Sequence, residues 1–157
     1  MRLDVSSWAP RFLLVAVVLL ALAALRPPSP VPPGAPAGEF SAHRAAIHLE
    51  SIAREPHVLG SAQLAKVREY LVAQLEALGL EAQIQEATAV RSGRGGLIGV
   101  GPVANVYARI PGSTGTSTVL LAAHYDSMPF TAGAADDGAA VAALLETARA
   151  LAAGPPL

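Results

Sequence analysis

Apolar residues recur at helical spacing in three segments of the chain. Ser41 is predicted to cap a helix that runs to about Arg54. Ser61 is predicted to cap a second helix, in which leucine and valine return every three or four residues until Gly79 ends it. An alanine-rich stretch predicts a third helix over about residues 138–152.

Three other segments have the patterns of β-strands. Residues 80–90 alternate between apolar and polar side chains, as in a half-buried strand, and residues 103–110 predict a second strand. Residues 118–123 form an uninterrupted apolar run, which is typical of an inner strand covered on both faces. The five glycines within residues 91–101 predict a flexible loop, because no helix with the spacing of a phosphate-binding loop follows them.

The order of these elements indicates a fold class. Helices that alternate with strands predict an α/β domain. Three strands alone would leave an apolar sheet edge without a partner. Residues 40–157 are therefore interpreted as the N-terminal portion of a larger, truncated domain.

The N-terminal region has a different pattern from the rest. Fourteen consecutive apolar residues, 12–25, lie between Arg11 and Arg26. As a helix this run measures roughly 21 Å, against roughly 30 Å for the bilayer core. It is either a cleaved signal peptide or an uncleaved transmembrane signal anchor over residues 12–26, whose arginines extend its reach. The anchor would leave residues 1–11 in the cytoplasm and the folded domain outside it, whereas the signal peptide would give a secreted protein.

A proline-rich linker over residues 27–39 follows the hydrophobic segment. Six of the ten residues 27–36 are proline, which excludes a helix or a central strand. The composition is typical of a semi-rigid polyproline spacer. We therefore expect the linker to separate the membrane segment from the folded domain.

Overall composition narrows the classes of function. Charged residues make up 15% of the 157 positions and the formal net charge is −1, which argues against a nucleic-acid partner. The chain contains no cysteine. Disulfide frameworks, thiol catalysis and cysteine-based zinc fingers are therefore excluded.

Candidate chemistry follows directly after the apolar run. His124 ends the predicted inner strand, where ligand crevices open in α/β sheets, and Asp126 would point the same way in an extended chain. A carboxylate beside an imidazole can orient it as a metal ligand. Asp136 and Asp137 stand at the start of the next helix, where capping accounts for one acid but not for the His124–Asp126 pair. Together the four residues indicate a metal site.

These motifs resemble those of the co-catalytic zinc aminopeptidases, the family of bacterial leucyl aminopeptidases and glutamate carboxypeptidase. The shared pattern is His-x-Asp-Ser, here residues 124–127, followed by Gly-x-x-Asp-Asp-Gly, here residues 133–138. Arg-Glu-Pro-His at residues 54–57 also matches, and the resemblance covers about residues 40–151. With a hydrophobic segment and linker in front, the chain looks most like the membrane-bound branch, the vacuolar-membrane and endoplasmic-reticulum metallopeptidases.

The resemblance implies a three-layer fold, with helices on both faces of a mixed sheet, and a site for two zinc ions. His124 would ligate one zinc ion and Asp136 would bridge both. Asp126 would orient His124, and Asp137 would follow an often cis peptide that aims the bridging carboxylate. In such enzymes a di-zinc-activated water hydrolyses a peptide bond, and a glutamate takes its proton. Ala140 departs from the family, which usually has glycine there.

Other parts of the family's site have no counterpart in this sequence. The general-base glutamate and the later metal ligands are missing, since Glu146 lies in mid-helix at the wrong spacing. The resemblance therefore implies an N-terminal fragment, inactive alone, of a membrane-anchored, aminopeptidase-type zinc exopeptidase with peptide substrates. The alternative is a non-catalytic ectodomain of the same fold that is used for binding. A small, complete secreted binding domain is a weaker alternative, because its sheet would be unfinished.

Overall fold

The computed structural model describes residues 8–93, 95, 98–113 and 117–155. Within them the chain forms four α-helices, one π-helical turn and two β-strands. The elements are α1 (Ala9–Ala24), α2 (Ala42–Ile52), α3 (Ala62–Ala77), β1 (Gln83–Ser92), β2 (Ile98–Tyr107), the turn Ala134–Gly138 and α4 (Ala139–Ala153).

The predicted caps of α2 and α3 are present in the structure. The Ser41 hydroxyl accepts a hydrogen bond from the main-chain N–H of Arg44 (3.3 Å), and the Ser61 hydroxyl accepts one from that of Leu64 (3.1 Å). Each hydroxyl thus satisfies one of the N–H groups that a helix start leaves unpaired. After α3, Gly79 has φ +75°, a left-handed conformation that glycine adopts at little cost.

The core lies where α2, α3 and α4 meet. Apolar side chains from all three helices pack into one buried cluster, with Ile52 fully buried. Its members are Ile52, Val67, Leu71, Val141, Ala142 and Leu145. Burial of side chains of this size contributes about 1.5–3 kcal/mol each, before the entropy cost of ordering them. This helical layer supports the segment that carries the candidate chemistry, because α4 begins directly after it.

Strands β1 and β2 form an antiparallel hairpin whose second strand lies earlier in the chain than the sequence predicts. Pairing runs in register from Gln83 opposite Tyr107 to Ser92 opposite Ile98. The second strand therefore begins five residues before the predicted start at residue 103, within the glycine-rich segment. Glycine leaves main-chain pairing possible, so a glycine-rich pattern does not by itself exclude a strand. Residues 94, 96 and 97 of the predicted loop lie outside the described residues.

The prediction of an inner strand over residues 118–123 is wrong. Residues 117–128 belong to no strand, and Val119 and Leu120 are 85% and 86% exposed. A buried strand needs neighbours to satisfy its main-chain groups. In the described part of the chain the sheet has only β1 and β2, so the apolar run lies unpaired. The fold is mixed α/β, but the three-layer arrangement around a mixed sheet is not formed by the described residues.

The N-terminal hydrophobic segment forms helix α1, which has 16 residues and buries none of them. No helix in the described part of the chain is long and apolar enough to cross a bilayer. The transmembrane helix expected over residues 12–26 is therefore not supported by the structure. Residues 1–7 of the expected cytoplasmic segment lie outside the described residues.

The proline-rich linker is not extended along its whole length. Residues 32–35 and 36–39 form two consecutive β-turns, closed by hydrogen bonds from Ala35 N–H to Pro32 O (3.1 Å) and from Glu39 N–H to Pro36 O (3.0 Å). Proline and glycine favour such turns. The expectation of a polyproline spacer therefore does not hold for residues 32–39.

Candidate metal centre

The candidate metal centre joins two residues that are twelve positions apart. The His124 Nε2 atom lies 3.0 Å from Asp136 Oδ1, and the two side chains are 51% and 81% exposed. No side-chain cap is present at either the turn Ala134–Gly138 or α4. The carboxylate of Asp136 is therefore directed at His124 and does not cap the helix that follows it.

Asp126 contacts the other ring nitrogen of His124. The Nδ1 atom lies 3.1 Å from the Asp126 main-chain carbonyl oxygen and 3.4 Å from its carboxylate Oδ1. A carbonyl oxygen can only accept, so Nδ1 must carry a proton and donate it. We expected the Asp126 carboxylate to orient His124, and the structure shows the main-chain carbonyl as the nearer partner.

The two contacts together define what can lie between His124 and Asp136. With Nδ1 protonated, a neutral imidazole would direct the lone pair of Nε2 at a carboxylate oxygen. Two acceptors 3.0 Å apart need a proton or a cation between them. Burial by itself lowers the pKa of His124, but the Asp126 carbonyl and the Asp136 carboxylate outweigh it and raise the pKa above its ordinary value. A metal cation would satisfy the same pair.

The peptide bond between Asp136 and Asp137 is cis, as the resemblance implies. Both residues have φ/ψ angles outside the helical region, so the chain changes direction there before α4 begins. Asp136 is exposed and Asp137 is half-buried. The structure thus directs the Asp136 carboxylate at His124, and the chain turns into α4 at Asp137.

Two glycines allow the chain to fold tightly around this site. Gly133 has φ +67°, and a Cβ atom there would lie 2.9 Å from the Cβ of Ser127. A Cβ atom on Gly138 would lie 2.9 Å from the Gly133 carbonyl oxygen, which also accepts the Gly138 N–H at 2.8 Å. Any side chain at either position would therefore displace the segment that carries Asp136.

Ser127 fastens this segment to the loop between α2 and α3. The His57 N–H donates to the Ser127 hydroxyl (2.8 Å), and the Ser127 N–H donates to the His57 carbonyl (3.1 Å). Both residues are buried, and His57 Nδ1 also lies 2.8 Å from the Glu55 carbonyl oxygen. Sequence reasoning matched both residues to the family's motifs but assigned a role to neither. The motif match was the available signal for them.

The residues present fit one part of a zinc centre. Imidazole nitrogen and carboxylate oxygen are ligands that zinc prefers, and two ligands of one tetrahedral zinc ion lie roughly 3.3 Å apart. The 3.0 Å between His124 and Asp136 is close to that span. No group of three or more potential ligands is assembled among the described residues. His124 and Asp136 could therefore hold an ion only with ligands from elsewhere or from water.

Glu146 is not available as a general base for this site. Its side chain is fully buried and accepts hydrogen bonds from Arg149 (2.6 and 2.9 Å) and Arg44 (3.0 Å). Burial alone would raise the pKa of Glu146, but the hydrogen bonds from Arg149, the Ser41 N–H and Arg44 lower it to about 2. A carboxylate with this pKa and these partners is a poor acceptor for a substrate proton.

Comparisons with known proteins find relatives of the segment that carries these residues. Residues 105–156, which include all four candidate residues, match the profile of Peptidase family M28. The vacuolar membrane protease of Candida albicans is 36% identical over 111 residues, which is 70% of this chain and 13% of that protein. The chain thus spans about an eighth of the length of that relative.

Solved structures of glutaminyl cyclases share the fold. The enzyme from Porphyromonas gingivalis is 33% identical with a TM-score of 0.59, and the match covers 74% of this chain and 41% of that one. The enzyme from Fimbriiglobus ruber, at 24% identity, has a TM-score of 0.50 over 79% of this chain and 43% of its own. The second likeness concerns the fold alone. The segment that carries His124 and Asp136 thus lies within a match to peptidase family M28.

Proposed function

We propose that this chain is the N-terminal part of a zinc-dependent metallopeptidase of the aminopeptidase type. The observation that carries the proposal is the contact between His124 Nε2 and Asp136 Oδ1. It brings two acceptors together at an exposed position within the segment that matches the peptidase family. A structural ion pair would not need this exposure, whereas a site for metal and substrate does.

The residues of the proposed site would have different roles. His124 would bind zinc through Nε2, and its Nδ1–H donates to the Asp126 carbonyl, which fixes the tautomer. Asp136 would provide the carboxylate shared by two ions. Zinc, when bound, supplies a Lewis acid and lowers the pKa of a bound water. The remaining ligands and the general base would come from residues outside this chain, so we expect the 157 residues alone to be inactive.

The proposal extends to where the protein works. The relative from Candida albicans is named a vacuolar membrane protease. Helix α1 is apolar from Phe12 to Ala24, with Arg11 in its first turn, and buries none of its side chains. We propose that α1 attaches the protein to a membrane and that the peptidase domain lies outside the cytoplasm, with short peptides as substrates.

A second activity is favoured by one comparison. The match to the glutaminyl cyclase of Porphyromonas gingivalis combines 33% identity with a TM-score of 0.59. A site that binds a peptide N-terminus could also act on an N-terminal glutamine. The α-amino nitrogen would then attack the side-chain amide carbon, which closes a ring, and the amide nitrogen would leave as ammonia. The two activities differ in product, because a peptidase releases a free amino acid.

The test is an assay of the complete gene product with a leucyl amide and a glutaminyl peptide. We expect zinc-dependent release of leucine, and loss of at least a hundredfold in His124→Ala and Asp136→Asn. The matched controls are His43→Ala and Glu50→Gln, which change exposed residues on α2. Ammonia release from the glutaminyl peptide alone would favour the cyclase. Zinc-independent activity, or activity unaffected by both variants, would refute the proposal. Turnover by the 157 residues alone would refute the claim that the general base lies outside them.

A further inference from the structure

The turns of the proline-rich segment lie against two arginines from different helices. We call residues 31–39 the strap. Its two β-turns have the same length, and each presents two carbonyl oxygens to one guanidinium. Arg44 Nη1, on α2, donates to the carbonyls of Pro33 (2.7 Å) and Ala35 (3.2 Å) of the first turn.

The second turn repeats this arrangement with the other arginine. Arg149 Nη1 and Nη2, on α4, donate to the carbonyls of Ala37 (2.6 Å) and Glu39 (2.8 Å). These carbonyls hold the second and fourth positions of their turn, as those of Pro33 and Ala35 do in the first. Arg44 Nη2 also donates to Glu39 O (2.6 Å), so the two arginines meet at the end of the strap.

Glu146 holds both arginines in place. Its carboxylate accepts hydrogen bonds from Arg44 Nε (3.0 Å) and from Arg149 Nε and Nη2 (2.6 and 2.9 Å). It also accepts the main-chain N–H of Ser41 (2.8 Å), whose hydroxyl donates to the Val31 carbonyl (2.8 Å). The buried carboxylate of Glu146 supplies one negative charge to the two guanidinium groups, and their remaining N–H groups point at the strap.

The chemistry of the strap complements this surface. Proline has no main-chain N–H, so a segment with prolines at 32, 33 and 36 presents more acceptors than donors. A guanidinium carries five N–H donors in a planar fork and no acceptor. Four carbonyls of the strap accept hydrogen bonds from the two guanidinium groups: those of Pro33, Ala35, Ala37 and Glu39. The Val31 carbonyl accepts one from the Ser41 hydroxyl.

We infer that Glu146, Arg44 and Arg149 form an intramolecular binding site for the proline-rich strap, which ties the hydrophobic helix to the folded domain. Only residues 25–30 separate the end of α1 at Ala24 from the docked strap. The seven residue steps from Ala24 to Val31 reach at most about 25 Å. Helix α1 therefore stays near the helical layer, where a free polyproline spacer would hold it further away. This inference is independent of the peptidase activity.

Disulfide trapping tests the docked strap in the full chain, which has no cysteine of its own. A Cβ atom on Gly38 would lie 3.6 Å from the Cα of Gly154, after α4, which puts the Cα atoms of the pair Gly38→Cys and Gly154→Cys within the usual separation of a disulfide. A Cβ atom on Gly154 would itself lie 3.2 Å from the Ala150 carbonyl oxygen. The matched control is Gly34→Cys with Gly154→Cys, because nothing lies within 4 Å of that position. Both pairs share the change at Gly154, so any local effect there is common to them.

We expect the pair at 38 and 154 to cross-link at least tenfold faster than the control pair under mild oxidation. Adding Glu146→Gln or Arg149→Met should reduce its rate at least fivefold. Arg54→Met, on an exposed arginine outside the cluster, should not change it. The helical circular dichroism signal of each variant tests whether its helices persist. If Glu146→Gln unfolds, Arg149→Met is the variant that tests the inference. Equal rates for the two pairs, or an unchanged rate in a folded Arg149→Met variant, would overturn the inference.

Discussion

Two ion pairs of the molecule have the same length and opposite surroundings. Arg44 Nε and Glu146 Oε1 lie 3.0 Å apart, as do His124 Nε2 and Asp136 Oδ1. The side chains of the first pair are 17% and 0% exposed, and those of the second 51% and 81%. Distance alone therefore does not separate a buried structural pair from the exposed pair of the candidate metal centre.

The difference lies in how many partners each carboxylate has. Glu146 accepts four hydrogen bonds, from Arg149 twice, from Arg44 and from the Ser41 N–H. A buried charge is tolerated only with such compensation. Asp136 has His124 as its partner and keeps lone pairs open to solvent. The first pair thus holds helices and strap together, while the second keeps the exposed lone pairs that the proposed metal ion would need.

The largest expected effect comes from neutralising the buried carboxylate. Glu146→Gln should lower the free energy of unfolding by about 3–5 kcal/mol, because it leaves two partly buried arginines without their counter-charge. Asp136→Asn should change it by less than about 1 kcal/mol, as for other exposed ion pairs. Urea denaturation followed by circular dichroism measures both. Equal losses in the two variants would contradict the comparison.

Acid should separate the two pairs in a similar way. The pKa of Glu146 is about 2 in the folded chain, against 4.5 for an ordinary glutamate. Its contribution of about 3 kcal/mol is complete above about pH 4.5 and is lost as pH falls towards 2, because the unfolded chain takes up the proton first. Arg44, Arg149 and His48 are the charged or titratable groups that face it. Denaturation at pH 5 and pH 2.5 should show this loss in the wild type and not in Glu146→Gln.

A smaller effect concerns the support beneath the metal centre. Ser127→Ala removes the acceptor of the His57 N–H and should lower the free energy of unfolding by about 1–2 kcal/mol, since that N–H is buried. Ser51→Ala, which removes an exposed hydroxyl hydrogen bond on α2, is the matched control and should cost under about 0.5 kcal/mol. If both variants unfold at the same urea concentration, the centre does not depend on this buried contact.

The smallest effect is on the titration of His124 with metal removed by a chelator. Asp136→Asn should lower the pKa of His124, because the carboxylate that stabilises the charged ring is lost. Asp137→Asn is the control, since Asp137 is not among the groups that shift this pKa. Histidine nitrogen chemical shifts, followed by NMR across pH, measure the change. A larger fall with Asp137→Asn would show that the wrong carboxylate has been paired with His124.

Local signals made parts of this fold predictable. Ser41 and Ser61 cap helices through contacts three residues away, and Gly79 ends α3 through its own backbone freedom. Such interactions are visible in a short window of sequence. The resemblance assigned His124 and Asp136 to the same zinc site, and the structure brings their side chains within 3.0 Å.

Long-range contacts account for what could not be predicted. Glu146 meets Arg44 across 102 positions of sequence, and no short pattern signals such a pair. The turns of the strap depend on the same cluster, so composition alone predicted an extended spacer. The apolar run at residues 118–123 has the pattern of an inner strand, but a strand also needs a neighbour. Propensity without a partner does not form a sheet.

Gly133 and Gly138 have a consequence for the tolerance of the gene to variation. A methyl group at either position would come within 3.0 Å of neighbouring atoms, whereas Gly34 faces open space and Gly99 has ordinary contacts. In a saturation library screened only for soluble expression, codons 133 and 138 would stay nearly invariant while codons 34 and 99 accept alanine. The pattern of allowed codons would therefore identify the segment around the candidate metal centre in a screen that uses no substrate.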